Sequence, residues 1–133
     1  MAKLKARPKK ASKKTLDNKW AKLVKLRARN KCEFCMRDTH LNSHHIFSRS
    51  NLSTRWDEQN GVSLCAYHHA LGTRSAHKSP IEFIEWLRRE RGDNWYQKLR
   101  LRANTPQKPD MELINLYLTQ MLEKYNDRDT NNL

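Results

Sequence analysis

Cys32-Glu33-Phe34-Cys35, Asn42-Ser43-His44-His45-Ile46 and Leu64-Cys65-Ala66-Tyr67-His68-His69 decide the fold of this chain. Between positions 32 and 69 lie all three cysteines and five of the six histidines, with Asn60 among them. Cys32-x-x-Cys35 and Cys65-x-x-His68 each space two donors as a tight knuckle or a first helical turn does, so that both aim at one ion. Thiolate and imidazole donors closing a four-ligand set describe a structural zinc. His40 competes for the fourth position, but Cys65 needs a partner within its own short turn, which favours His68. His44, His45, His69 and Asn60 then remain as parts of a second, open metal site.

The flanking sequence supplies the elements around this window. Leu41 to Ile46 and Val62 to Leu64 are short enough to be the two strands of a hairpin. A helix is expected from near Cys65 to Leu71, with Gly72 as its stop. Upstream, Leu16, Trp20, Leu23, Val24 and Arg27 form one stripe of a helix running from about Asp17 to Arg29. Lys19, Lys22, Lys25 and Arg29 leave its other faces, either solvated or turned to nucleic acid. Downstream, Ser79-Pro80-Ile81-Glu82 has the form of a capping box with proline at the first helical position. Ile81, Phe83, Ile84, Trp86 and Leu87 give that helix a broad packing face. Gly92 ends it, Asp93 can cap the next, and Trp95, Tyr96, Leu99 and Leu101 anchor that one.

Residues 105–109 hold two prolines and form a linker. The final helix, 110–126, carries Met111, Ile114, Leu118, Met121 and Tyr125 in alternating steps of three and four. Leu113, Leu116, Tyr117 and Leu122 widen that seam, so the helix is expected to pack on two sides, one of them against a second copy or another protein. The boundaries are then a basic flexible arm 1–14, a core domain 15–104, the linker, the last helix and a frayed tail 127–133.

A chain of 133 residues, 37% apolar and 31% charged, has a core small enough to need help from a metal. No run approaches the roughly 18 apolar residues of a membrane span, and the basic N-terminus has no apolar stretch behind it, as a secretory signal would. Cysteines in knuckle spacing then point to reduced thiols in the cytoplasm. The formal charge of +13 is concentrated: residues 1–31 hold 13 Lys/Arg against a single acid, Asp17, for a net +12. Such a block attracts polyanions. Lys9, Lys10, Lys13 and Lys14 are therefore expected to meet DNA. Arg49, Arg55 and Arg74 flank the metal window and either hold phosphate or pair with acids such as Asp57 and Glu58.

The order Cys-x-x-Cys, His-His, Asn, Cys-x-x-His-His resembles the HNH endonucleases, also called His-Me or ββα-metal nucleases. That resemblance covers about residues 15–100. It implies a small α+β fold, a zinc-stabilised, treble-clef-like ββα-metal core with flanking helices. It also implies metal-dependent hydrolysis of DNA phosphodiesters, as a phage or bacterial enzyme of this kind performs. Carried over position by position, it makes His45 the general base and His44 and His69 ligands of a catalytic divalent ion, Mg or another. Asn60 becomes the residue that ties the loop and orients the base. It makes His77 a further ligand or phosphate contact. The stretch from His45 to Asn60 is also similar to NinG-type phage recombination proteins, with its Ser48-Arg49 and Arg55-Trp56-Asp57-Glu58. The likeness ends at Cys65-x-x-His68-His69, where that family has Cys-x-x-Cys-Asn. Two other classes remain open on sequence: a zinc-stabilised DNA-binding module without activity, and a protein-interaction module working through the last helix.

Overall fold

The computed structural model describes residues 11–131, with side chains through 128. It contains helices α1 (Lys13–Arg27), α2 (Pro80–Arg91), α3 (Asp93–Ala103) and α4 (Met111–Asn131), and strands β1 (Leu41–His45) and β2 (Gly61–Cys65). A 3-10 turn, Glu58–Asn60, precedes β2, and a π-helical turn, Tyr67–Leu71, follows it. The fold class is thus small α+β, and among the described residues no helix is long and apolar enough to cross a membrane.

The strands form one antiparallel pair, in register from Leu41 opposite Cys65 to His45 opposite Gly61. A two-stranded ribbon is marginal in water and needs a layer on each face. Here both faces are covered, and β2 is buried along its whole length. On one side Val62 and Leu64 pack with Cys32, Ala76, Phe83 and Leu87. The other layer is built on α1, whose Leu16, Trp20, Leu23 and Val24 pack with Trp56 and Leu118. Gly61 lets α1 approach: a Cβ there would lie 2.3 Å from Val24 Cγ2 and 2.8 Å from Trp20 Cζ2. Asn60-Gly61 joins the 3-10 turn to β2, and the strands are connected by the long segment 46–60.

α1 begins at Lys13, before the expected Asp17, because Ser12 Oγ accepts from Thr15 N–H at 3.1 Å and caps it. Lys13 and Lys14 are consequently helical rather than part of an arm; Lys9 and Lys10 lie outside the described residues. Lys19 is partly buried and turned to α4: its ammonium donates to Asn115 Oδ1 (2.7 Å) and Thr119 Oγ1 (2.9 Å). Arg27, on the packing stripe, donates to the carbonyls of Glu58 and Gly61 at 2.8 and 3.3 Å.

The α2 capping box does not form. Ser79 Oγ donates to Thr73 C=O at 2.7 Å and makes no cap contact. Phe83 and Leu87 of α2 are buried, but Ile81 is 71% exposed and stands off the packing face. Gly92, at φ +90, ends α2 in a conformation that favours glycine, and Asp93 is the first residue of α3 rather than its cap. On α3, Leu99 is buried and Leu101 is 69% exposed.

α4 continues to Asn131, past the expected Asn126, through the first residues of the predicted tail. Its whole seam (Met111, Ile114, Leu118, Met121, Tyr125) packs into the α1 layer, so the heptad-like pattern is used within the chain. Leu113, Leu116 and Tyr117 stay exposed on the other side.

Candidate metal centres

The knuckle between Cys32 and Cys35 is closed by backbone bonds, Met36 N to Cys32 O at 2.8 Å and Cys32 N to Arg37 O at 2.7 Å. Met36 takes φ +67 to complete that turn. Glu33 fastens the knuckle to β2: its N–H donates to Ser63 O (2.8 Å) and its Oε2 accepts from Ser63 N–H (2.7 Å). Its other oxygen accepts from Arg91 of α2 at 2.8 Å. The first ligand pair is thus held against the strand whose end carries Cys65.

Cys32, Cys35, Cys65 and His68 present ligand atoms all within 4.8 Å of one another, close enough to hold a metal. Cys35 Sγ and Cys65 Sγ are 3.8 Å apart, and His68 Nδ1 stands 3.8 Å from Cys32 Sγ and 3.3 Å from Cys65 Sγ. A tetrahedral zinc with bonds of about 2.3 Å to sulfur and 2.0 Å to nitrogen requires donor edges of about 3.8 and 3.5 Å. The donor set and its edges fit that ion. All three cysteines are free thiols, so no disulfide competes. Burial pushes the Cys32 thiol up. At Cys65 burial acts the same way, but the His68 backbone N–H and the neighbouring thiols outweigh it and hold this thiol below its ordinary range. His40 is exposed and stands outside this group.

The second group stands beside the first, joined to it where His69 follows His68 on the π-helical turn. His44 of β1, His69 of the π-helical turn and His77 present ring nitrogens within 4.8 Å of one another. The Nε2 atoms of His69 and His77 are 3.0 Å apart. Two nitrogens on one ion at bonds of about 2.1 Å stand about 3.0 Å apart when they subtend a right angle. Phe83 closes the inner side of the group, edge-on to His44 with ring centroids 5.7 Å apart. Burial first, then the nearness of His69, His77 and His45, lowers the pKa of His44 to about 4. Burial and His77 lower His69 as well. At neutral pH His44 keeps its lone pair, the form a cation needs.

His45 leaves β1 on the opposite side from His44, as strand alternation requires. Its ring stacks on Trp20, with centroids 3.8 Å apart and planes 7° from parallel. Its Nε2 lies 2.8 Å from the carbonyl oxygen of Arg55. A carbonyl only accepts, so Nε2 carries the proton and Nδ1 the lone pair in the neutral ring. Burial keeps the ring neutral by lowering its pKa, against the contrary pull of the Arg55 carbonyl.

Asn60 is fully buried and ties segment 46–60 to itself. Its Oδ1 accepts from Phe47 N–H at 2.7 Å, and its Nδ2 donates to the carbonyls of Phe47 and Thr54, each at 3.0 Å. Its own carbonyl accepts from Ile46 N–H at 3.0 Å, extending the hairpin by one rung.

The arginines separate. Arg55 is 11% exposed and engaged twice by Asp17, Nε to Oδ1 at 3.0 Å and Nη2 to Oδ2 at 2.7 Å, so it does not face phosphate. Nor does it use Asp57, which takes Arg102 at 2.6 Å. Arg49, 68% exposed, lies 3.5 Å from the same Asp17 carboxylate. Arg74 is exposed, and among the described residues it makes no ion pair. Lys13 and Lys14 are exposed on the first turn of α1.

Asp17, Trp20 and Phe83 were not legible as parts of the site. For Asp17 a signal existed, since it is the one acid among the first 31 residues. Compared with known proteins, the chain matches no family model, no curated protein and no solved structure.

Proposed function

We propose that the chain is a metal-dependent DNA endonuclease of the HNH kind. The observation that carries this reading is the division of labour between two adjacent histidines. His44 turns into a group of three imidazoles, and His45 turns away with its Nε2–H committed and its Nδ1 without a hydrogen-bond partner among the described residues. The resemblance in sequence assigns those two positions the roles of ligand and base, and this geometry supports that assignment.

In this reading Cys32, Cys35, Cys65 and His68 hold a structural zinc, whose binding energy supports a small core in a treble-clef-like ββα-metal arrangement. His44, His69 and His77 hold a catalytic divalent ion. Such an ion supplies charge neutralisation on the phosphorane and help for the leaving 3′ oxygen. Three imidazoles weigh the choice away from Mg, which prefers oxygen ligands, toward zinc, nickel or iron-like ions. His45 Nδ1 accepts the proton of the attacking water, and Asn60 holds the connection between the strands in the shape that carries Arg55 C=O to His45. Exposed Lys13, Lys14, Arg49 and Arg74, with the basic residues that precede α1, bind the DNA backbone.

The second reading, a zinc-stabilised DNA-binding module, rests on the concentration of charge in residues 1–31 and asks nothing of the histidine group. One assay separates the two. The protein is freed of loosely held ions by mild chelation, and cleavage of plasmid DNA is measured as Mg, Mn, Ni or Zn is restored. Ion-dependent nicking supports the enzyme; tight DNA binding with no cleavage under any ion supports the module.

A further inference from the structure

The proposed base reaches its partner through one backbone carbonyl, and that carbonyl belongs to a residue whose side chain is clamped from another element. Arg55 is locked by both oxygens of Asp17, at 3.0 and 2.7 Å, and the adjacent Trp56 donates its Nε1–H to Asp17 Oδ1 at 2.8 Å. Trp56 is 4% exposed, so this corner of segment 46–60 is packed as well as bonded. Asp17 and Trp20 are both on α1, separated by under one turn, and Trp20 is the platform on which His45 lies. One turn of α1 thus fixes the ring plane of His45 through Trp20, and its tautomer through Asp17, Arg55 and the Arg55 carbonyl. The Arg55 hydrogen bond holds the Asp17 carboxyl below the usual carboxylate range, so the clamp is charged at neutral pH.

We infer that Asp17 is a positioning residue for His45, holding Arg55 and Trp56 so that the Arg55 carbonyl keeps His45 in its Nε2–H form with Nδ1 free. The inference rests on the reading of His45 as the base for its effect on rate, and on geometry alone for its effect on the tautomer. Asp17 is a part-buried acid on a helix whose other charged residues are all cations. The net +12 of residues 1–31 includes this single acid, and it is spent on the corner that touches His45.

The test uses the full chain with its bound metals and reads two quantities. Nitrogen-15 NMR of the histidine rings reports the tautomer of His45, assigned by comparison with His45→Ala. Single-turnover cleavage at saturating DNA reports the rate, with zinc content and DNA affinity measured alongside. Asp17→Asn and Arg55→Lys should shift His45 toward a mixture of tautomers and lower the rate about tenfold or more, as loss of orientation at a general base does. DNA affinity and zinc content should stay within about twofold, a conservative limit beside that loss. Asp17→Glu should recover part of both effects. Trp56→Phe removes only the Trp56–Asp17 hydrogen bond and keeps the bulk and the Arg55 fork, so it should shift the tautomer less than Asp17→Asn does. If Asp17→Asn does not fold, Arg55→Lys carries the test alone. An unchanged His45 tautomer in the folded variants overturns the inference. If the wild type cleaves no DNA, the functional reading fails, and the NMR measurement still decides whether Asp17 sets the tautomer.

Discussion

His45 lies flat on the indole of Trp20, 3.8 Å between ring centroids, while its neighbour His44 meets Phe83 edge-on across the hairpin. The two histidines therefore answer to different layers of the molecule, and substitutions at them should have separable effects. His45→Ala should slow metal-dependent cleavage by about 10²–10⁴-fold. Zinc content and DNA affinity should remain near wild type, because His45 belongs to neither ligand group. His44→Ala should instead raise the concentration of divalent ion needed for half-maximal cleavage. Titrating the ion against both variants distinguishes the two; equal rates for His45→Ala and wild type would refute the mechanism.

Cys65 sits at the end of β2 and shares a turn with His68, so it joins strand to ligand set. Cys65→Ser should lose the tightly held zinc and, with it, the cooperative thermal transition, since the energy of such a site is folding energy. Zinc measured by mass spectrometry under native conditions, beside a melting curve, checks both. Full zinc retention would remove the four-ligand assignment.

Gly61→Ala places a methyl against Val24 and Trp20, at separations real side chains do not tolerate. Overpacking of this kind costs about 1–3 kcal/mol. The midpoint of denaturant unfolding should fall accordingly, and zinc content should not. A midpoint equal to wild type would mean that α1 shifts freely, in conflict with its role as the platform of His45.

Removing residues 1–10, which carry five Lys/Arg and no acid, leaves the Ser12 cap and α1 in place. Affinity for duplex DNA should drop. The slope of log affinity against log salt should flatten by about 0.9 for each phosphate the shortened chain no longer neutralises. Turnover at saturating DNA should change less than affinity. An unaltered salt slope would show that this segment does not touch phosphate.

The Arg55 fork, with Trp56 and the Arg49 charge assisting, lowers the pKa of Asp17 in the folded protein, against the contrary effect of burial. A carboxylate depressed in this way contributes stability that is present above its unfolded pKa, about 3.9, and is lost as pH falls through the folded value. Asp17→Asn should therefore be less stable than wild type at pH 7, and the difference should narrow below about pH 4. Denaturant melts across that range give the comparison, and a difference that does not vary with pH would mean the effect is not electrostatic.

What the sequence made legible was local. The spacing in Cys32-x-x-Cys35 and Cys65-x-x-His68 is a property of single turns, and the structure gathers those four donors. The hairpin, the α1 stripe and the α4 seam follow periods of two or three to four residues, and they form nearly where expected. What was hidden was long-range or masked by composition. Asp17 and Arg55 are 38 residues apart, and no periodicity links an acid in a basic helix to an arginine in a loop. For that reason Arg55 read as a phosphate contact or a partner of Asp57 or Glu58, and its pairing with Asp17 stayed hidden. The start of α1 was obscured because Ser12 caps it from within a run of lysines. The end of α4 was obscured because its last residues are polar and carry no stripe. At Gly61 nothing in the sequence signalled its packing role, since the glycine answers to a helix packed on it from outside.

His68 and His69 are consecutive, and each presents its ring to a different group of donors. A short π-helical turn fixes the angle between them, and the Cys65–His68 corner anchors that turn. Under the two-metal reading the two sites are then coupled through one turn of backbone. A preparation stripped of both ions and given only the loosely held one would be inert for want of the other. On the same reading, a chelator strong enough to strip the cysteine site would switch the protein off in a way that restoring the labile ion does not reverse.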